Sequence, residues 1–199
     1  YKPVMISGPV LLKDDKRFLS RFQALELMSL VGTGAGSFGI RDPILCNAAN
    51  MGFQKEIYLQ YKHKIKPEIS SGDDIFILLF LKNMYASRLL FLKSCNSIVY
   101  TDPADSISKF LAQRIRWVSK SKHYHDSLII FTALSVLGVN LTLLILIILL
   151  TAHKTFLITF IIVLLTKVII DFCFLRSICI FFGRRDLLRI FIPSEILYL

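Results

Sequence analysis

Metal-ligand and disulfide patterns are missing from this sequence. Its four cysteines, Cys46, Cys95, Cys173 and Cys179, form no CxxC pair and no Cys/His ligand spacing. That excludes a zinc module and a stapled secreted scaffold and fits a reducing cytosol. Acidic residues are scarce, 14 against 24 Lys and Arg, which leaves a formal charge of +10. Basicity alone would suit a nucleic-acid binder, but 54% hydrophobic residues exclude a soluble one and fit an integral membrane protein with a cytoplasmic face. The glycine run GTGAGSFG, Gly32 to Gly39, follows a helical pattern rather than a strand and has no Lys-Ser/Thr behind it. It therefore reads as a flexible helix-to-strand connection, not a phosphate loop.

The apolar residues are unevenly placed. Residues 1–126 are mixed in texture, whereas 127–199 are nearly continuous Leu, Ile, Phe and Val, so a soluble portion precedes a membrane portion. Tyr1, Lys2, Pro3 and the apolar Val4 to Ile6 read as a strand entered mid-domain rather than a leader. Leu187 to Leu199 is apolar but too short for a span of about 20 residues. Both ends read as cut, and the expectation is a fragment of a longer chain.

Within the soluble portion, Val4 to Leu12 is a short apolar run broken by Gly8 and Pro9, which predicts a strand at a sheet edge or a turn. From Lys16, Phe18, Phe22, Leu25 and Met28 recur at spacings of three and four and predict a helix. A brief strand at Ile44 to Cys46, a polar turn at Asn47 to Asn50, a short helix at Gln54 to Tyr61 and a basic loop with Lys62, Lys64 and Lys66 follow. Asp73 and Asp74 open a helix whose apolar run is Ile75 to Leu81, their charges complementing the helix dipole. Ser94 to Tyr100 is strand-like, and the alternation indicates an α/β layer fold.

Pro103 breaks the chain, and Asp105 or Ser106 caps a helix reaching about Tyr124. On a helical wheel Ile107, Phe110, Leu111, Ile115 and Val118 share one side, while Gln113, Arg116 and Trp117 cluster within about 100° on another. Lys109, Arg114, Lys120 and Lys122 supply the basic flank of a helix lying at a membrane interface. Residues 128–151 carry no charge and predict one transmembrane helix, and about 155–175 predict a second, with Lys167 and Asp171 one turn apart. That pair is costly in lipid unless it is neutralised within the bundle or lines a channel. Basic residues dense before the first span and at Arg176, Arg184, Arg185 and Arg189 place the soluble portion in the cytoplasm and His153 and Lys154 outside. His123, His125 and Asp126 beside the membrane read as hydrated polar groups rather than a metal site.

Three markers now stand in order: Leu45-Cys46-Asn47-Ala48-Ala49-Asn50, Ser71-Gly72-Asp73-Asp74, and Gln113-Arg114-Ile115-Arg116-Trp117 with spans directly behind. In this order they resemble the processive, membrane-bound family 2 glycosyltransferases, the group of the cellulose, chitin and hyaluronan synthases. The resemblance covers nearly the whole chain. It implies an α/β fold: the C-terminal part of a nucleotide-diphospho-sugar transferase (GT-A-like) domain over residues 1–104, an interfacial amphipathic helix over 105–126, and a membrane region over 127–199 with a third span begun near 187–199.

The resemblance also implies roles. Transfer of a sugar from a nucleotide diphosphate to a hydroxyl needs a base for the acceptor proton, and a positioned carboxylate serves. That base maps to Asp74, with Asp73 orienting it. A planar guanidinium meets the departing diphosphate through paired donors, a role for Arg116 with help from Gln113. Trp117 would stack on the acceptor sugar, and Asn47 and Asn50 would meet sugar hydroxyls, although turn formation accounts for both equally well. For the three helix residues the alternative is an ordinary juxtamembrane anchor. The family's Mg or Mn ion is expected in the full-length enzyme, with ligands outside this chain: no Asp-x-Asp precedes Asp73, and Asp14-Asp15 has the wrong spacing. The implied partners are a nucleotide-diphosphate sugar donor, a saccharide or lipid-linked acceptor and the bilayer of the inner or plasma membrane, with no nucleic acid. Two further readings remain at this point, single transfer to a lipid-linked acceptor and a catalytically silent membrane scaffold.

Overall fold

The computed structural model describes residues 2–61, 73–121 and 124–198, so the basic loop of Lys62, Lys64 and Lys66, the Ser71-Gly72 step, Lys122 and His123 lie outside the described residues. The chain divides into two compact units, Tyr1–Leu128 and Ile129–Leu199. It is mostly helical, with short strands confined to the first unit.

The first unit is organised by the break at Gly8-Pro9. Strand β1 (Met5–Ser7) and strand β2 (Val10–Leu12) flank that break and enter different sheets. β1 is central, antiparallel to β3 (Met51–Phe53) and parallel to β4 (Leu89–Phe91), while β2 pairs in parallel with β5 (Val99–Thr101). The break requires glycine: a Cβ at Gly8 would fall 2.5 Å from the Asn50 amide nitrogen. Pro9 has no N–H to offer a ladder, but its carbonyl accepts from Val99 N at 3.1 Å. Side chains alternate across β1, so Met5 and Ser7 point inward and Ile6 outward. Met5 joins Val4, Phe38, Ile77, Leu78, Leu81 and Leu89 in the core.

Helix α1 (Phe18–Gly39) overturns the expected flexible connection, because it runs unbroken through the whole glycine stretch. The reason is close packing. A Cβ on Gly34 would lie 2.8 Å from the Leu45 carbonyl oxygen, so the missing side chain lets the helix rest on the returning backbone. Buried Ser37 reinforces the seat, its hydroxyl donating to Gly34 O at 2.6 Å and accepting from Ile44 N at 3.1 Å. Ile44 to Cys46 consequently runs against a helix and joins no sheet, contrary to the expected strand. The helix ends with Asp42 N bonding Ser37 O and Arg41 N bonding Phe38 O, which places Arg41 at φ 60, a left-handed position usually held by glycine.

Helix α2 (Lys55–Tyr61), helix α3 (Asp73–Tyr85) and helix α4 (Ile107–Ser121) complete this unit. Lys82 of α3 bridges Asp42 and Asp126. Burial works against its charge, but hydrogen bonds and attraction from the two carboxylates outweigh that and hold the ammonium above its usual range.

The second unit holds two helices long and apolar enough to cross a membrane. Helix α5 (Ser127–Ala152) is followed by helix α6 (Leu157–Phe181), the second apolar stretch beginning already at Lys154. Their large side chains are mostly uncovered, among them Phe131, Leu134, Ile148 and Ile158. α6 ends at Gly183, whose φ of 67 turns the chain while Arg184 N bonds Cys179 O at 2.8 Å. A short 3₁₀ stretch, Arg185–Ile190, leads into helix α7 (Phe191–Tyr198). Lys167 of α6 bonds Asp171 at 2.8 Å and also meets Glu195 of α7, so one ammonium answers two carboxylates.

Candidate functional site

Asp74 lies in the first turn of α3, where its own carboxylate accepts from Ile75 N at 2.9 Å. The second carboxylate oxygen accepts from Ala48 N at 3.1 Å. Two backbone donors from different segments thus fix the orientation of a half-buried carboxylate, and a side chain bound this way does not swing. The Cys46 thiol lies 3.3 Å from the Asp74 carbonyl oxygen and donates to it. Burial, and then the nearby Asp74 charge, push that thiol well above its usual range, so it serves as a hydrogen-bond donor rather than a nucleophile. The α3 helix itself begins at Asp73, as expected from the acidic pair, but the Asp73 side chain falls outside the described structure.

Asn47 precedes and Asn50 closes a one-turn 3₁₀ helix, Ala48–Asn50. Asn47 caps it, its side-chain oxygen accepting from Ala49 N at 3.0 Å. Asn50 is committed more deeply: its amide donates to Pro9 O at 2.8 Å and to Ser97 O at 2.7 Å, which uses both amide hydrogens. Only its oxygen remains for an outside hydroxyl. Asn47, Ala48 and Asp74 form one cluster.

Tyr124, beyond the end of α4 at Ser121, lies near that cluster. Its ring meets Phe76 edge-on at 5.3 Å between centroids. Burial, then the charge of Asp74, pushes its hydroxyl up to about 12, so it holds its proton well into the alkaline range. Sequence reasoning missed it, for one tyrosine in a polar turn carries no periodic signal.

The other expected residues stand on α4. Its helical face divides differently from the expected wheel. Phe110 turns inward against Phe22 of α1, with centroids 5.9 Å apart, while Ile107, Leu111, Ile115 and Val118 stay exposed. Arg114, expected in the basic flank, is instead drawn in to Glu26 of α1 by a paired contact whose Nε bond measures 2.6 Å. Its guanidinium lies 4.2 Å from the Trp117 ring centroid and 4.5 Å from that of Phe110, and Nη1 donates to the Gln113 side-chain oxygen at 2.8 Å. Arg116 is exposed and meets no carboxylate among the described residues, so its guanidinium stays available for an external anion. Buried Gln23 fixes the approach to α4 by bonding both backbone groups of Ala104, at 3.0 and 2.9 Å. The only Gln and the only Glu of α1 were the available signals for Gln23 and Glu26.

The structure thus gathers Asp74, Asn47 and Tyr124 in one cluster and Gln113 and Trp117 in another, with Arg116 on the same helix as the second. Among the described residues no group of three His, Cys, Asp or Glu side chains converges, so the divalent ion implied by the resemblance finds no ligand set there. Comparison with protein-family models, with curated proteins and with solved structures finds no match for this chain.

Proposed function

We propose that this chain carries the acceptor side of a membrane-bound, inverting family 2 glycosyltransferase with a GT-A-like catalytic fold. The observation that carries the reading is the Asp74 carboxylate, aimed by Ala48 N–H and Ile75 N–H beside the Asn47 turn. Asp74 removes the proton of an acceptor hydroxyl as that oxygen bonds the donor's anomeric carbon and the bond to the nucleotide diphosphate breaks. Arg116, with Gln113, meets the charge that builds on the departing diphosphate. Trp117 offers its face to the acceptor sugar, and Asn47 offers a hydroxyl contact. The donor is a nucleotide-diphosphate sugar and the acceptor a growing saccharide or lipid-linked sugar.

The protein is integral to the inner or plasma membrane, crossing it more than once, with the catalytic unit on the cytoplasmic side. Uncovered Leu, Ile and Phe along both long helices support this, because such surfaces call for a lipid solvent. A Mg or Mn ion would be held by ligands outside the described residues and would supply positive charge to the donor diphosphate.

The test is incorporation of label from nucleotide-sugar donors in the protein's native membranes, wild type against Asp74→Asn. A loss of about 10²- to 10⁴-fold is expected when a general base is removed. Unchanged product formation excludes Asp74 as the base. A wild-type protein that incorporates nothing, yet stays membrane-inserted and binds a partner, favours the scaffold role instead.

A further inference from the structure

Beyond the residues that would touch sugar or phosphate, one side chain organises two of them. Arg114 reaches Gln113 through Nη1 at 2.8 Å and lies over the Trp117 ring at 4.2 Å. Its other guanidinium edge is taken by Glu26, a residue 88 positions earlier in the chain. Both partners are largely withdrawn from water, with side-chain exposures of 18% and 12%. A surface ion pair screened by solvent would hold nothing in place, but this one is bidentate and sheltered. The guanidinium plane is therefore fixed by α1, and it in turn fixes what rests on it. An indole beneath a bound guanidinium keeps one orientation, since rotation about its side-chain torsions breaks the cation–π contact. A Gln whose oxygen is tied to Nη1 presents its NH₂ group outward.

We infer that Glu26 and Arg114 form a positioning couple, which presets Trp117 for stacking and the Gln113 amide for donation to an incoming saccharide or diphosphate. The couple touches no substrate itself. This rests on the glycosyltransferase reading for what is bound, but the preset geometry exists without ligand and can be read without it. Lysine at 114 would keep the charge and lose the planar fork that serves Glu26, Gln113 and Trp117 together.

The chain contains one tryptophan, Trp117, so its intrinsic fluorescence reports this site alone. Four variants of the 199-residue chain in detergent micelles separate positioning from mere docking of α4: Glu26→Gln, Arg114→Lys, Arg114→Gln and the exchanged pair Glu26→Arg/Arg114→Glu. Acrylamide quenching of Trp117 should rise roughly twofold in the three single variants as the ring loses its cover. The exchanged pair restores an ion pair between α1 and α4 but takes the cation off the indole. Its thermal midpoint should return toward wild type while the quenching stays high. In native membranes, with UDP-glucose and UDP-N-acetylglucosamine as donor probes, Arg114→Lys should lower kcat/KM about tenfold through misplaced binding groups, with most of the change in KM.

Unchanged quenching in Glu26→Gln, or full recovery of quenching and kinetics in the exchanged pair, overturns the positioning role and leaves only a structural tie. Quenching that shifts as expected in a wild-type background that transfers no sugar supports the couple and overturns the glycosyltransferase reading instead.

Discussion

Alanine at Gly34 and alanine at Gly36 should move stability in opposite directions, although the two residues lie half a turn apart in the same helix. At Gly34 the new Cβ would meet the Leu45 carbonyl oxygen at 2.8 Å, and that oxygen belongs to backbone that cannot rotate aside. Overpacking of this kind costs about 1–3 kcal/mol, and a rigid neighbour puts it near the top of that range. Alanine is better than glycine in a helix by about 1 kcal/mol, which offsets part of the cost. The net loss is about 2 kcal/mol. At Gly36 a Cβ meets nothing within 4 Å, so only the helix gain of about 1 kcal/mol operates. For a chain of this size these changes correspond to a thermal midpoint lower by about 4–8 °C for Gly34→Ala and higher by about 2–4 °C for Gly36→Ala. Thermal unfolding followed by Trp117 fluorescence in one detergent measures both. Equal midpoints, or a Gly34→Ala protein as stable as wild type, would refute the view that the glycine stretch is a packed helix.

Three further outcomes are expected. Arg41 holds a left-handed φ of 60 at the end of α1, so Arg41→Gly should stabilise the chain by about 1 kcal/mol, read as a higher midpoint; a lower midpoint removes the strain argument. The Tyr124 hydroxyl is held up to about 12 against an ordinary 10.0, so it binds its proton more tightly when folded. Its contribution to stability is complete below pH 10 and disappears as pH rises toward 12. Tyrosinate absorbance at 295 nm should show a late step, shared with Tyr85, that Tyr124→Phe diminishes, and a titration identical in both proteins contradicts the assignment. Finally, Lys167→Leu should destabilise more than the triple change Lys167→Leu/Asp171→Leu/Glu195→Leu, because it leaves two carboxylates facing one another. Recovery of folded protein after detergent extraction decides this, and a triple variant worse than the single one reverses the conclusion.

Local periodicity carried some elements and not others. Asp73 and Asp74 ahead of Ile75 to Leu81 signalled the start of α3 because acidic groups at a helix N-terminus act locally. The long apolar runs signalled α5 and α6 for the same reason, composition alone deciding. The three-residue strands were harder. β1 pairs with β4 in parallel across more than 80 residues, and nothing near Leu89–Phe91 announces that partner. Ile44 to Cys46 has a strand's composition, but its backbone packs on Gly34 of α1 and pairs with no strand among the described residues. The glycine run misled because propensity is a weak prior that packing overrides, here through a single backbone contact. In the candidate site, residue types and order were readable, whereas the Glu26–Arg114 link and the place of Tyr124 depend on tertiary approach.

The Lys167 cluster also bears on how the chain is made. About 21 Å of helix separates Lys167 from the end of α6 at 1.5 Å per residue, and the chain past Gly183 must climb that distance back before Glu195 reaches it. During synthesis α6 emerges with Lys167 facing only Asp171, and its second partner follows 28 residues later. On the membrane reading proposed above, docking of α7 is what gives the α6 ammonium its second carboxylate within the lipid. On that same reading, a chain terminated before Glu195 should insert poorly, with an incompletely answered cation, and accumulate less in membranes than the whole chain.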